Sequence, residues 1–453
     1  MNSLFERNIW SDLMQWKQNY QRKPLIIRGA RQVGKTTIIR QFGETYRHFI
    51  EFNLEKTENQ RIIQQVDSAQ RLIEVLSLQK NLSATEWKGT LLFIDEIQES
   101  PKTIGFLRYL YEEVPDLHVV SAGSLLEHRL KDVKSFPVGR VNYMYLFPLN
   151  FQEYLKGIGH DLLHDHLKTV PLDKTVHSTV LSLFHRYCIV GGMPEIVARY
   201  SITKDLAGLI PTYESIWDTY KDDVGKYAEN STEMKVIRHI METAPALVDK
   251  RIKFQNFGYS NYKSREVSAA FRSLDQAKVI QIIYPSTSTK PPVIPDYKKS
   301  PRLQFMDTGL LNFELNIQAD MLLMDDLNSA YRGAIIPHMI TQELISMNTT
   351  SYKKPNFWVR DKTQSSAEVD LLYSSQGLLV PIEIKSGATG SLKSLHEFID
   401  RAPHSLAVRM YAGEFKLEKT RTRKGKLFYL MNVPYYLGTY LDQCLSWFID
   451  KYG

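Results

Sequence analysis

Apolar and polar positions along the first third of the chain fall into two rhythms. The runs "PLIIRG" (24–29), "FIEFNLE" (49–55), "TLLFIDE" (90–96) and "LHVVSAGS" (117–124) are short, strand-sized and mostly apolar. They predict strands, the first buried, the second alternating between apolar and polar positions. Around them the apolar residues recur at roughly helical spacing, as at Leu4, Ile9, Leu13 and Trp16, and "IIRQF" opens a helix just past the first run. Strands alternating with helices predict a parallel sheet covered on both faces, with a first domain ending near residue 150.

Beyond that point the rhythm changes. "FPVGRVNYMYLFPLNFQEYL" (136–155) reads as the exit from the sheet, and 160–230 is mostly helical in pattern. "GGMPEIVARY" (191–200) breaks it with a turn, after which Pro194 suits the first position of a helix. Residues 232–284 read as a small helical unit closing on "AAFRSLDQAKVIQIIYP", a helix followed by a short β-rich stretch, as in a winged helix. "PSTSTKPPVIPDYKKSP" (285–301), rich in Pro, Ser and Lys, is predicted to be an exposed loop or linker. A second α/β segment follows from about residue 302. The expected units are therefore 1–150, 151–230, 231–300 and 301–453.

Two motifs give the first unit its chemistry. "GARQVGKT" fits G-x-x-x-x-G-K-[ST] with Gly29, Gly34, Lys35 and Thr36. Glycines let the backbone of Gly29, Ala30, Arg31, Gln32, Val33, Gly34, Lys35, Thr36 and Thr37 wrap around phosphate with its N–H groups inward. The helix that follows adds the positive end of its dipole. Lys35 is expected to reach the β- and γ-phosphates, and Thr36 to ligate Mg²⁺. "LLFIDE" then delivers Asp95 and Glu96 to the C-terminal edge of the sheet, the edge where such sheets bind ligands. Asp95 would hold the metal and Glu96 would polarise the attacking water. Ser124, ending the next strand, is a candidate to sense the γ-phosphate. Arg140, in "VGRV", is a candidate to stabilise transition-state charge, in cis or from a neighbouring subunit, with Arg31 and Arg40 as alternatives.

The segments "PLIIRGARQVGKTT", "LLFIDEIQ", "SAGSLLEHRL" and "FPVGRVNYMYLFPLNFQEYL" together resemble the AAA+ (P-loop) ATPases of prokaryotes that carry "GARQVGKTT" and a "DEIQ" Walker B motif; "GGMPEIV" and "YKDDVGKY" (220–227) resemble segments of the same family. The resemblance implies a P-loop NTPase fold with the "HVVSAGS" strand between the phosphate-loop strand and the "LLFIDE" strand. It implies Lys35 and Thr36 as phosphate and Mg²⁺ residues, Asp95 and Glu96 as the Walker B pair and Ser124 as sensor 1. It gives ATP and Mg²⁺ as cofactors.

The C-terminal stretch "EVDLLYSSQGLLVPIEIKSG" (368–387) carries a second constellation. Residues i and i+2 of a strand share a face, so Glu383 and Lys385 point together, away from Ile382 and Ile384. With Asp370 on the preceding strand and Glu343 on an upstream helix, they could hold a divalent metal and activate water. The pattern is similar to that of the PD-(D/E)xK nucleases, with Val369 in place of the proline, and "LKSLHEFID" would be the helix expected next. It implies an α/β nuclease-like domain and a second divalent metal; a fold does not carry its activity with it.

Composition adds bounds. The 453 residues are 43% hydrophobic and 24% charged, within the globular range. A formal charge of +7 and basic runs at 249–255, 261–266 and 416–426 permit a DNA partner without requiring one. Two cysteines, Cys188 and Cys444, argue against a disulfide framework. No apolar run reaches membrane-spanning length and "MNSLFERNIW" is no signal peptide, so a cytoplasmic location and no membrane partner are expected. Two readings of the whole stand. One is an ATPase whose hydrolysis moves the later domains, acting on DNA. The other is a slow nucleotide-dependent switch that binds a protein or nucleic-acid partner and carries an inactive nuclease-like domain. A transition-state arginine supplied in trans would need an oligomer.

Overall fold

The computed structural model describes residues 5–123, 139–324, 327, 331, 333–361, 367–385 and 392–453. Five parallel strands form the N-terminal sheet: β1 (Leu25–Arg28), β2 (His48–Asn53), β3 (Thr90–Asp95), β4 (His118–Gly123) and β5 (Asn142–Tyr145). Their order is β2-β3-β4-β1-β5, so β4 lies between the phosphate-loop strand β1 and β3. Strand alternation divides the core into two layers. Leu25, Ile27, Leu91, Phe93, Val120 and Ala122 pack on the face covered by α1 (Ile9–Gln18) and α2 (Lys35–Gly43). Ile26, Leu92, Ile94 and Val119 pack on the other, under α3 (Thr57–Gln65), α4 (Ala69–Lys80) and α5 (Pro101–Glu113). The expected exit from the sheet is partly a strand. "NYMY" pairs with β1, Leu25 opposite Asn142, but has only one buried side chain, Met144, and so shows no apolar run.

The helices His177–Val190, Pro194–Thr203, Ile210–Asp222 and Val224–Tyr227 follow, with Pro194 at the start of its helix as expected. Their apolar faces share one core with α1 and α2. Next come Ser231–Thr243, Ser264–Gln276 and a two-stranded antiparallel pair, β6 (Ile280–Ile283) with β8 (Arg302–Phe305). Between these two strands the Pro/Ser-rich segment is docked rather than a free linker. It begins with β7 (Pro285–Ser286), parallel to Phe357 and Trp358, and Ser286 is fully buried with its hydroxyl donating to Ile294 O (2.8 Å). Pro285 is tolerated because β7 is an edge strand, where a missing N–H costs no ladder bond.

The C-terminal sheet is mixed, ordered β13-β14-β12-β11-β10-β9-β7, with β9 (Asn356–Val359), β10 (Glu368–Ser375), β11 (Leu378–Ile384), β12 (Leu406–Tyr411), β13 (Lys416–Arg421) and β14 (Leu427–Pro434). The helix Lys393–Ile399 covers one face through Leu395, Phe398 and Ile399. The other face carries Val380, Ile382, Ile384, Val408 and Met431 into the core that the N-terminal unit also uses. The helix Ile335–Ser346 bridges them and is buried almost all round, as a helix between two layers must be. No helix among the described residues is long and apolar enough to cross a membrane.

Candidate functional site

The phosphate loop spans residues 29–34, between β1 and α2, at the C-terminal edge of the sheet. Two of its glycines are dictated by geometry. A Cβ on Gly29 would lie 2.2 Å from the carbonyl oxygen of Leu146, and Gly34 sits at φ +95°, in the left-handed region open to glycine. Lys35, 8% exposed, donates to Gly29 O (2.9 Å) and Ala30 O (2.7 Å), closing the loop on itself. Burial lowers its pKa to about 8. The Arg31 guanidinium pushes the same way, and the carboxylates of Glu96 and Asp95 oppose it.

Thr36 opens α2, and its hydroxyl donates to Asp95 Oδ2 at 3.0 Å. Asp95 ends β3 and is 4% exposed. Its other oxygen accepts from the Glu96 backbone N–H (3.1 Å). Burial, then the adjoining Glu96, raises the Asp95 pKa to about 6. A hydroxyl and two adjacent acids, one of them buried, form a hard-oxygen donor set, which fits Mg²⁺. Glu96 itself stands at φ +52°, a conformation that costs a non-glycine residue about 1–3 kcal/mol and that clusters at functional sites. Its carboxylate accepts from Gln98 Nε2. Gln98 is 2% exposed and packs against Gly123, the last residue of β4, where any Cβ would meet its amide oxygen at 2.4 Å.

Of the other sequence candidates, Ser124 lies outside the described residues. Arg140 precedes β5 and therefore sits at the N-terminal edge of the sheet, opposite the loop; Nε pairs with Glu112 Oε1 (2.8 Å) at the end of α5. Within one chain the fold does not bring it to the phosphates. Arg40 is held in a two-pronged pair with Glu51 (2.8 and 2.7 Å). Arg31 remains in the loop, where an ion pair joins it to Asp223 at the end of the helix Ile210–Asp222. From the same helix, Tyr220 donates its hydroxyl to Arg31 O (2.5 Å). Arg7 holds the loop from the other side, donating to Val33 O (3.0 Å) and Phe147 O (2.6 Å) and pairing with Glu153 (3.1 Å). Sequence reasoning missed Gln98, Tyr220, Asp223 and Arg7. "DEIQ" and "YKDDVGKY" contain the first three, but nothing in the spacing says that they face the loop.

The C-terminal constellation is brought together only in part. Lys385 Nζ lies 2.6 Å from Glu383 Oε1, and Asp370 Oδ2 accepts from the backbone N–H of Ile384 (2.8 Å). Burial, then Asp370, pushes the Glu383 pKa upward. The position facing these acids is taken by Arg302, on β8, which pairs with Glu368, with Asp249 (3.3 Å) and with Asp370 (3.6 Å) while stacking over Phe357. Glu343 is not part of this cluster. Fully buried, it accepts from the Phe151 N–H at 3.1 Å on each oxygen, at the start of the helix Phe151–Gly157. It also lies 2.7 Å from the Tyr187 hydroxyl, which is 2.7 Å from Leu149 O as well. A tyrosine has one proton to give, so a protonated Glu343 donating to Tyr187, which donates to Leu149, satisfies all three groups. Burial raises the Glu343 pKa to about 8, in keeping with that protonation. Among the described residues, no group of three or more His, Cys, Asp or Glu side chains is arranged to hold a metal.

Residues 21–155 match the family model of an AAA domain, AAA_14. Residues 181–321 and 332–436 match models of two domains of unknown function, DUF8612 and DUF4143. No curated protein matches the chain. Among solved structures, a Walker-type ATPase of Pyrococcus abyssi is similar over 69% of this chain and 96% of its own, at 14% identity and a TM-score of 0.43. A Signal Transduction ATPase with Numerous Domains (STAND) protein with a tetratricopeptide repeat sensor, from Pyrococcus horikoshii, is similar over 76% of this chain and 50% of its own, at 12% identity and a TM-score of 0.27. With an AAA-domain match over the five-stranded parallel sheet and its phosphate loop, the N-terminal unit is a P-loop nucleotide-binding domain of AAA type.

Proposed function

We propose that the chain binds ATP with Mg²⁺ at residues 29–37 and hydrolyses it, with Glu96 as the general base. The observation that carries this reading is the Thr36–Asp95 hydrogen bond, which unites the phosphate loop and the acidic strand end in one site. Backbone N–H groups of the loop would cradle the phosphates, and Lys35 would exchange the carbonyls of Gly29 and Ala30 for the β- and γ-phosphates. Thr36 and Asp95 would hold Mg²⁺, which neutralises charge building between those phosphates. Glu96 would turn from Gln98 to take the proton of the attacking water. Phosphate release from MgATP by wild type, absent in Lys35→Ala and cut to near background in Glu96→Gln, tests the reading. Equal turnover in all three proteins would refute it.

Two observations favour slow turnover in the isolated chain, as in a switch. Glu96 is tied to Gln98, and Arg140 lies at the far edge of the sheet. An activating protein, a nucleic acid or a second copy of the chain supplying an arginine would then set the rate. Stimulation by single- or double-stranded DNA identifies a nucleic-acid partner, and its absence points to a protein. We read the acidic cluster of the C-terminal sheet as an internal joint closed by Arg302 and Lys385 rather than as a cleavage site. Its support is that Arg302 pairs with Asp370 and Glu368, and that Glu343 is engaged elsewhere.

A further inference from the structure

Two polar contacts from the helical region 181–227 converge on one residue of the nucleotide loop, Arg31. The Tyr220 hydroxyl fixes its carbonyl oxygen and Asp223 takes its guanidinium. Asp223 is buried, 6% exposed, and its second oxygen faces Lys226 at 3.4 Å. A carboxylate buried against an anion-binding loop is out of place electrostatically. It would repel the phosphates and it occupies a loop cation that would otherwise serve them.

We propose that Asp223 is a positioning residue that competes with the terminal phosphate of a nucleoside triphosphate for Arg31, so that triphosphate binding releases the helix Ile210–Asp222 from the loop. The inference rests on the nucleotide-site reading above. Arg31 stands where it can serve either partner. It belongs to the phosphate loop itself, four residues before Lys35, the group placed for the β- and γ-phosphates. The exchange distinguishes nucleotides, because a triphosphate brings an additional phosphate group to compete and a diphosphate does not. Tyr220, on the same helix, donates to the Arg31 carbonyl oxygen, so release of the helix opens this bond together with the ion pair. Binding and helix release are then one equilibrium, and the cost of breaking the Arg31–Asp223 pair appears as weakened ATP affinity.

The test is calorimetric titration of the full chain with MgATP and MgADP. Asp223→Asn is expected to bind MgATP about three- to tenfold tighter than wild type, the range expected for freeing one partly buried ion pair. MgADP affinity should change less than twofold. In an Arg31→Ala background the same exchange should tighten MgATP binding clearly less, leaving only the loss of direct repulsion. Unfolding midpoints without nucleotide check that each variant folds, and Asp223→Ser replaces the amide variant should it not. Unchanged or weaker MgATP binding in Asp223→Asn overturns the inference. So does tightening of equal size in the Arg31→Ala background, which would show repulsion alone. Lys35→Ala separates the two levels. If wild type binds no MgATP, or Lys35→Ala binds as well as wild type, the nucleotide reading falls and this inference with it. If those controls behave and Asp223→Asn does not tighten, only the inference falls.

Discussion

The Thr36 hydroxyl donates to Asp95 Oδ2 across 3.0 Å, so the first turn of α2 and the last residue of β3 meet although 59 residues separate them in sequence. That contact makes a single site of two motifs. It exists because β4 alone stands between β1 and β3 in the sheet, leaving both strand ends on one edge.

The loop's shape depends on the missing side chain of Gly29. Gly29→Ala would force a methyl to 2.2 Å from Leu146 O, a backbone atom that cannot swing aside. The expected result is a loss of about 1–3 kcal/mol in urea unfolding, together with loss of MgATP binding, since β1 and the segment after β5 must separate. A variant that unfolds like wild type and still binds nucleotide would show that the loop is not held at this point.

Much of this unit was legible in the sequence, and the reasons are local. Strands β1, β3 and β4 are mostly apolar runs because both faces of the sheet are covered, β2 (His48–Asn53) alternates, and the glycines and Lys35 follow from phosphate geometry. What was illegible depends on tertiary placement. Met144 alone could not announce β5. Arg140 reads in sequence as a candidate transition-state arginine, whereas the strand register places it on the far edge, paired to Glu112. Tyr220 lies 189 residues from Arg31 and Asp223 slightly farther, a separation that no spacing argument bridges. In the C-terminal sheet, the period-2 face of Glu383 and Lys385 was readable, whereas the insertion of Arg302 from β8 and the diversion of Glu343 to Tyr187 were not.

Glu343 gives a pH signature. Its folded pKa, about 8, lies above the ordinary value of 4.5, so between these values the folded state holds a proton that the unfolded state has lost. The stabilisation is complete below pH 4.5 and disappears as pH rises through 8. A shift of this size corresponds to roughly 4–5 kcal/mol, to be read as an order of magnitude. Glu343→Gln should therefore gain on wild type steadily from pH 5 to pH 8 in urea midpoint. Parallel profiles for the two proteins would mean that Glu343 is ionised in the fold.

Arg302 ties β8 to β10 through Glu368 and Asp370. Arg302→Ala leaves those acids and Asp249 uncompensated, and a stability loss of about 3–5 kcal/mol is expected. In the same account wild type leaves plasmid DNA intact with Mg²⁺ or Mn²⁺. Metal-dependent cleavage that disappears in Asp370→Ala and Lys385→Ala would restore a nuclease site.

Arg140 is exposed and remote from the phosphates, so Arg140→Ala should leave turnover of the dilute chain unchanged. A drop that grows with protein concentration would instead place Arg140 in a neighbouring subunit's site.

The most direct test of the central claim is single-turnover phosphate release from MgATP by wild type and Glu96→Gln, with MgATP affinity measured on both. The account expects near-equal affinity and a rate about 10²- to 10⁴-fold lower in the variant, the range for removing a general base. Equal rates would contradict Glu96 as the base, and no MgATP binding by wild type would contradict the site itself.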